Sequence, residues 1–124
     1  MTDTATRNRR AGAKWETDLL KNLREEGFEV ERLRLAGRED EGDLVVTDPL
    51  VDGRRLILEA KAGALHPAQF VKEATVEARN YEDHRSLPAG RAMGVVVAKQ
   101  RGKSWREAYV LTTLSEFLEL DGKR

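Results

Sequence analysis

The sequence predicts a single α/β domain, and three observations lead there. Two short apolar runs, Leu44–Val46 and Leu56–Leu58, stand on either side of a turn-rich stretch and read as paired strands. Two longer segments, Gly12–Glu26 and Pro67–His84, carry their apolar residues at helical spacing. A further apolar run, Met93–Ala98, follows the second helix, so strands and helices alternate along the chain.

Composition bounds what such a domain does. A length of 124 residues suits one domain, and a hydrophobic content of 40% is enough for one compact core. No repeat or low-complexity segment marks a second unit. Lys and Arg number 22 and Asp and Glu number 22, so the net charge is zero. Attraction to nucleic acid therefore has to come from local patches rather than from the whole molecule. The absence of cysteine excludes disulfides and thiolate metal sites and points to a reducing cytoplasm. Two histidines leave little for a zinc site. No apolar stretch approaches the ~20 residues needed to cross a membrane, and Met1–Lys14 lacks the apolar centre of a secretory signal.

Taken in order, residues 1–11 are expected as a flexible basic arm carrying Arg7, Arg9 and Arg10, with the folded domain spanning 12–124. The first helix covers Gly12–Glu26. Leu19, Leu20 and Leu23 form its stripe and Gly27 its C-terminal stop. Glu16 lies three, four and seven positions before those leucines, so it falls inside the apolar stripe. Such a carboxylate is either a first-turn acid favoured by the helix dipole or a group reaching a site elsewhere. Phe28–Leu35 reads as a strand, with Arg32 and Arg34 of one parity. Ala36–Gly42, which includes Arg38, is a charged loop leading to Asp43.

The next stretch organises the rest. Asp48-Pro49-Leu50-Val51-Asp52-Gly53 carries turn signals, so the flanking runs form a hairpin. With the turn centred near Val51, Asp43 faces Glu59, and alternation puts Ile57, Glu59 and Lys61 on one face. Glu and Lys two apart are commonly no more than a solvated pair. Here, however, Leu56-Ile57-Leu58 reads as a strand buried on both faces, and a carboxylate ending such a strand is costly unless paired or metal-bound. Two carboxylates and an amine brought together this way can bind a hard divalent cation and hold a water beside it. Asp40 and Glu41 compete with Asp43 as ligands; Asp43 is preferred because it adjoins the strand and satisfies the register.

Pro67 suits the first position of the second helix, whose stripe is Phe70, Val71, Ala74, Ala78 and Tyr81. Gln69 lies off that stripe, close to Lys61 in sequence, and is either exposed or hydrogen-bonded near the site. After the strand at Met93–Ala98 comes a basic loop with a tryptophan, containing Lys99, Arg101, Lys103, Trp105 and Arg106. It is either a solvated loop or a phosphate-binding one. Ala108–Thr112 is a last strand and Leu114–Leu120 a short helix.

Several stretches in this order resemble the PD-(D/E)xK nuclease superfamily, and within it the archaeal-type and phage Holliday junction resolvases. They are Gly12-Ala13-Lys14-Trp15-Glu16, Gly27-Phe28, Gly42-Asp43-Leu44, Ile57-Leu58-Glu59-Ala60-Lys61-Ala62 and the Val95-Val96-Val97 strand with its Arg-Gly-Lys loop. The resemblance implies a restriction-endonuclease-like α/β core, with a mixed central sheet flanked by helices. It implies a Mg²⁺-dependent endodeoxyribonuclease, with Mn²⁺ able to substitute, that resolves four-way DNA junctions in recombination and repair. Two matched cuts imply a homodimer. Asp43 and Glu59 would hold the metal with the Ala60 carbonyl, Glu16 would bind it directly or through water, and Lys61 would orient or deprotonate the attacking water. Arg7, Arg9, Arg10, Lys14, Arg38, Lys99, Arg101, Lys103 and Arg106 are the candidate DNA contacts. A restriction-type or nicking enzyme and a non-catalytic DNA-binding module of the same fold are the alternatives. The chain departs from the pattern twice. Gly42 replaces the proline before the Asp, which is not a ligand, and Ala36-Gly37 stands where a loop serine or threonine would be sought.

Overall fold

A computed structural model describes residues 4–33 and 40–120. Helix α1 (Thr4–Glu25) leads into β1 (Val30–Arg32), β2 (Leu44–Thr47) and β3 (Arg55–Lys61). There follow α2 (Pro67–His84), β4 (Ala92–Ala98), a 3-10 turn (Trp105–Glu107), β5 (Tyr109–Leu111) and α3 (Leu114–Leu118). The five strands lie in the order β1-β2-β3-β4-β5. The first three form an antiparallel meander, β3 and β4 are parallel, and β5 returns antiparallel to β4. The fold is thus α/β, a mixed sheet flanked by helices. No helix among the described residues is long and apolar enough to cross a membrane.

The hairpin register is the one the turn signals predict. Leu44 pairs with Leu58 and Thr47 with Arg55, which centres the connection on Val51. The turn is held by Asp48, whose Oδ1 accepts from the Leu50 and Val51 amides at 2.8 and 3.3 Å and whose Oδ2 accepts from Arg54 Nε at 2.8 Å. Burial alone would raise the Asp48 carboxyl, but those amides and Arg54 hold it below its ordinary value. At Gly53 φ is +78°, a left-handed conformation that glycine adopts without cost.

The sheet is covered unequally. On one face Trp15 and Leu19 of α1 pack on Leu44, Val46, Leu58, Ala60, Met93, Val95 and Val97. On the other, Ala78 and Tyr81 of α2 pack on Ile57 and Ala92. All seven residues of β4 are buried, as its unbroken apolar run predicts. Helix α1 does not span its whole face and leaves a groove of about 560 Å³ bordered by Leu56, Met93, Val110 and Phe117.

Two sequence expectations change. Helix α1 begins at Thr4, not Gly12, so residues 4–11 are its first turns and not a flexible arm; residues 1–3 lie outside the described residues. The physical reason is that extending a formed helix costs far less than nucleating one, and this segment has no proline. Gly12 is tolerated within it at a cost of about 1 kcal/mol. The C-terminal stop is as expected. The Gly27 amide donates to the Arg24 carbonyl at 3.0 Å and the Phe28 amide to the Leu23 carbonyl at 3.1 Å, the two bonds of a Schellman motif with Gly27 at φ +96°. The first strand is the second change: it covers Val30–Arg32 only, and Arg34 and Leu35 lie outside the described residues.

Packing of α2 depends on one glycine in β4. A Cβ at Gly94 would lie 2.1 Å from the Ala74 carbonyl oxygen and 3.1 Å from the Ala78 Cβ. Both neighbours belong to the docked helix, so a methyl group must push α2 off the sheet. Gly94→Ala should therefore destabilise the fold by about 3 kcal/mol, the upper part of the usual overpacking range. Urea unfolding measures this, and a loss under about 1 kcal/mol would show that α2 docks more loosely than described.

Candidate metal centre

The carboxylates gather where β2 begins and β3 ends. Asp43 immediately precedes β2, and its amide donates to the Leu58 carbonyl at 3.0 Å while its carbonyl accepts from the Leu33 amide at 2.8 Å. Its side-chain Oδ2 accepts from the Ala60 amide at 2.7 Å. The register that pairs Leu44 with Leu58 thus carries Asp43 to Glu59. Asp43 interacts with Glu59 on one side and with Glu16 of α1 on the other. Sequence-predicted Glu16, Asp43 and Glu59 are therefore brought together. At Ala60 the contact to Asp43 is made by the amide.

Lys61 follows on the same face of β3. Its Nζ lies 3.3 Å from Glu73 Oε2 and 4.5 Å from the centre of the Phe70 ring. Gln69 is exposed, yet its Nε2 donates to Glu73 Oε1 at 3.1 Å. Gln69 thus supports the lysine's partner, which joins the two readings of that residue.

Two further acids complete the cluster. Carboxylate oxygens of Asp40, Glu59 and Glu77 all lie within 4.8 Å of one another. Asp40 is one of the two rivals to Asp43; the other, Glu41, points elsewhere and is bound by Arg85 Nη1 at 2.7 Å and His84 Nδ1 at 2.5 Å. Burial would raise Glu41, but the hydrogen bonds from Arg85 and His84 hold it low. Glu77 is the residue that sequence reasoning misses. Its signal is present, because Glu77 sits between Ala74 and Tyr81 in the stripe of α2 just as Glu16 sits among the leucines of α1.

What separates this cluster from ordinary ion pairing is the set of partners. Among the described residues six acids are buried: Glu41, Asp48, Glu59, Glu77, Glu82 and Glu116. Glu41 has Arg85, Asp48 has Arg54, and Glu82 and Glu116 share Arg79. Among the described residues Glu59 and Glu77 have no basic partner, and the Oε1 atom of Glu77 has no hydrogen-bond partner. The electrostatics follow. Burial first, then hydrogen bonding and repulsion from Glu77 and Asp43, pushes the Glu59 carboxyl up to about 11. Burial and the nearby Asp40 push Glu77 to about 7, against a hydrogen bond with Glu59 that lowers it. Burial and Asp43 raise Glu16 to about 7, although Arg32 Nε sits 2.8 Å from its Oε2.

The basic candidates divide. On α1, Arg7, Arg10 and Lys14 fall on one side of the helix, whereas Arg9, seven residues before Glu16, falls on the side of Glu16. Arg7, Arg9, Arg10 and Lys14 are exposed, and Lys14 pairs with Asp18 at 2.8 Å. Lys99 is close to the centre: its amide donates to the Lys61 carbonyl at 2.9 Å and its Nζ lies 5.9 Å from the Trp15 ring centre. Arg101 and Lys103 are exposed in the loop beyond. Arg106 instead pairs with Glu26 past the far end of α1 and stacks at 4.8 Å on Trp105. Arg38 and the Ala36-Gly37 pair lie outside the described residues.

Comparison of the chain with protein-family models and with curated proteins finds no match.

The raised carboxyls set a pH dependence. Glu16, Glu59 and Glu77 hold protons in the folded state that they release on unfolding above their ordinary 4.5. Their contribution is fully present below that value. It is lost as pH rises through 7 for Glu16 and Glu77 and onward for Glu59. Glu41 and Asp48, held low, act only on the acid side of this window. In chelator, the melting temperature should fall from about pH 5 to about pH 8.5, and Glu59→Gln should flatten that fall. A melting temperature that stayed level or rose over this range in wild type would contradict the unpaired cluster.

Proposed function

We propose that this chain is a metal-dependent, structure-specific DNA endonuclease that hydrolyses phosphodiester bonds and acts on four-way junctions as a homodimer. The observation that carries the reading is the convergence of Glu16, Asp43 and Glu59 beside Lys61, with Glu59 and its neighbour Glu77 left without basic partners among the described residues. The sheet order, with a meander followed by a parallel crossover, is compatible with a restriction-endonuclease-like core.

The acids around Glu59 suit a hard cation, being all carboxylate oxygen, and Glu77 beside it carries a buried oxygen without a hydrogen-bond partner among the described residues. Asp43 and Glu59 would hold Mg²⁺, with Glu16 supporting from α1. Bound there, the cation supplies Lewis-acid stabilisation of phosphoryl charge and a water of lowered pKa. The residues do the rest. Glu59 must give up its proton on metal binding, so affinity rises with pH. Lys61 reaches the same face as Glu59 and is positioned by Glu73 and Phe70 to orient the attacking water. Lys99, next to Lys61, meets a phosphate on one flank, and the basic turns of α1 meet the backbone farther out.

Asp43→Asn and Glu59→Ala should abolish Mg²⁺-dependent cleavage and leave DNA binding largely intact. Lys61→Ala should stop cleavage without removing the metal. The direct assay incubates the full chain with labelled four-way, flap and linear duplex DNA, with and without Mg²⁺. Preferential cutting of the junction is expected. Cutting linear duplex equally well would leave only a restriction-type nuclease, and binding without cutting would leave a DNA-binding module.

Substituting Arg7, Arg9 and Arg10 together should weaken junction binding and flatten its salt dependence. The log–log slope should fall by roughly 0.9 for each phosphate that the variant no longer neutralises. An unchanged slope would remove α1 from the interface.

A further inference from the structure

We infer that Asp40, Glu59 and Glu77 form a second divalent-cation position, on the α2 side of Glu59 and beside the Glu16–Asp43–Glu59 set. It builds on the nuclease reading, in which Glu59 would be shared between the two positions.

The spacing is right for one ion. Oxygens of the three carboxylates lie within 4.8 Å of one another. Opposed ligands around Ca²⁺ stand about 4.6–5.2 Å apart and those around Mg²⁺ about 4.1 Å. That spacing lies within the span of one ion's coordination shell, so a single divalent cation can bridge the three carboxylates.

An independent observation points the same way. Glu77 is 7% exposed, and its Oε1 has no hydrogen-bond partner. A buried, unpartnered carboxylate oxygen is expensive, and the Glu77 side chain that carries it lies among two more carboxylates. Elsewhere in the chain the same problem is met with arginine: Arg54, Arg79 and Arg85 serve Asp48, Glu82, Glu116 and Glu41. A cation at Glu77 completes that pattern.

Asp40 is held for the purpose. Its carbonyl accepts from Asn80 Nδ2 at 2.8 Å, one turn along α2 from Glu77, and its Oδ1 accepts from the Gly42 amide at 2.9 Å. Gly42 has φ +101°, which proline cannot adopt, and it is in this conformation that its amide reaches the Asp40 carboxylate. An open cleft of about 600 Å³, lined by Asp40, Gln69, Lys72, Glu73 and Glu77, gives an ion access from solvent.

The test is a Mn²⁺ titration of the full chain, stripped by chelator and followed by electron paramagnetic resonance. Four proteins are compared: wild type, Glu77→Gln, Asp40→Asn, and the double substitution Asp43→Asn with Glu16→Gln. Glu77→Gln should lose one Mn²⁺ per chain relative to wild type, and the double substitution should retain that ion. Asp40→Asn should reproduce the loss without altering a buried residue, which controls for misfolding. Equal Mn²⁺ binding by wild type and Glu77→Gln, or no Mn²⁺ in the double substitution, would overturn the inference. Junction cleavage is scored separately. A wild type that cuts DNA while Glu77→Gln keeps all its Mn²⁺ sinks this position alone. A wild type that never cuts while Glu77→Gln loses its ion sinks the nuclease reading alone.

Discussion

Glu59 and Glu77 are buried against each other, with Asp40 and Asp43 alongside and no ion-pair partner for either among the described residues. Three features of the fold produce that arrangement. The hairpin register fixes Asp43 against Glu59, the Ala60 amide holds the Asp43 carboxylate, and α2 is pressed onto Gly94 closely enough to bring Glu77 over the sheet. Desolvating an ionised carboxylate costs several kcal/mol, so without a cation the cluster survives by keeping protons. With Glu16 and Glu77 raised to about 7, the cluster gives up protons near neutral pH, the behaviour the proposed metal centre needs.

The surroundings are built by the opposite rule. Arg79 ties Glu82 and Glu116 to the Ala92 carbonyl, while Glu116 and Glu82 accept from the Gly94 and Ala92 amides. This network clamps α2, β4 and α3 together. It makes the frame rigid around a cluster that is electrostatically unsatisfied, as a preorganised site requires.

Much of this is legible in the sequence, for physical reasons. Turn residues and period-two alternation are local, so the hairpin register and the meeting of Asp43 with Glu59 can be read directly. Glu16 is visible because a carboxylate breaks an apolar stripe, and α2 because Pro67 marks its first turn. What escapes depends on tertiary placement. Glu77 breaks a stripe just as Glu16 does, but it becomes a ligand candidate only when α2 docks over β3. Asp40 is held by the amide of Gly42, whose left-handed backbone nothing in the alternation pattern specifies. The pairing of Arg106 with Glu26 is likewise a contact between distant segments, and it removes one arginine from the basic loop. Gly12 reads as a boundary in the sequence, but helix propagation carries α1 through it.

The central claim is that this carboxylate cluster trades protons for a divalent cation. Carbon-13 NMR of the Asp and Glu side-chain carboxyls, titrated with pH in chelator and again in Mg²⁺, tests it most directly. Glu59 should be protonated at neutral pH without Mg²⁺ and ionised when Mg²⁺ is added, with Glu77 following. A Glu59 already ionised at neutral pH in chelator, or one whose protonation ignores Mg²⁺, would contradict the account.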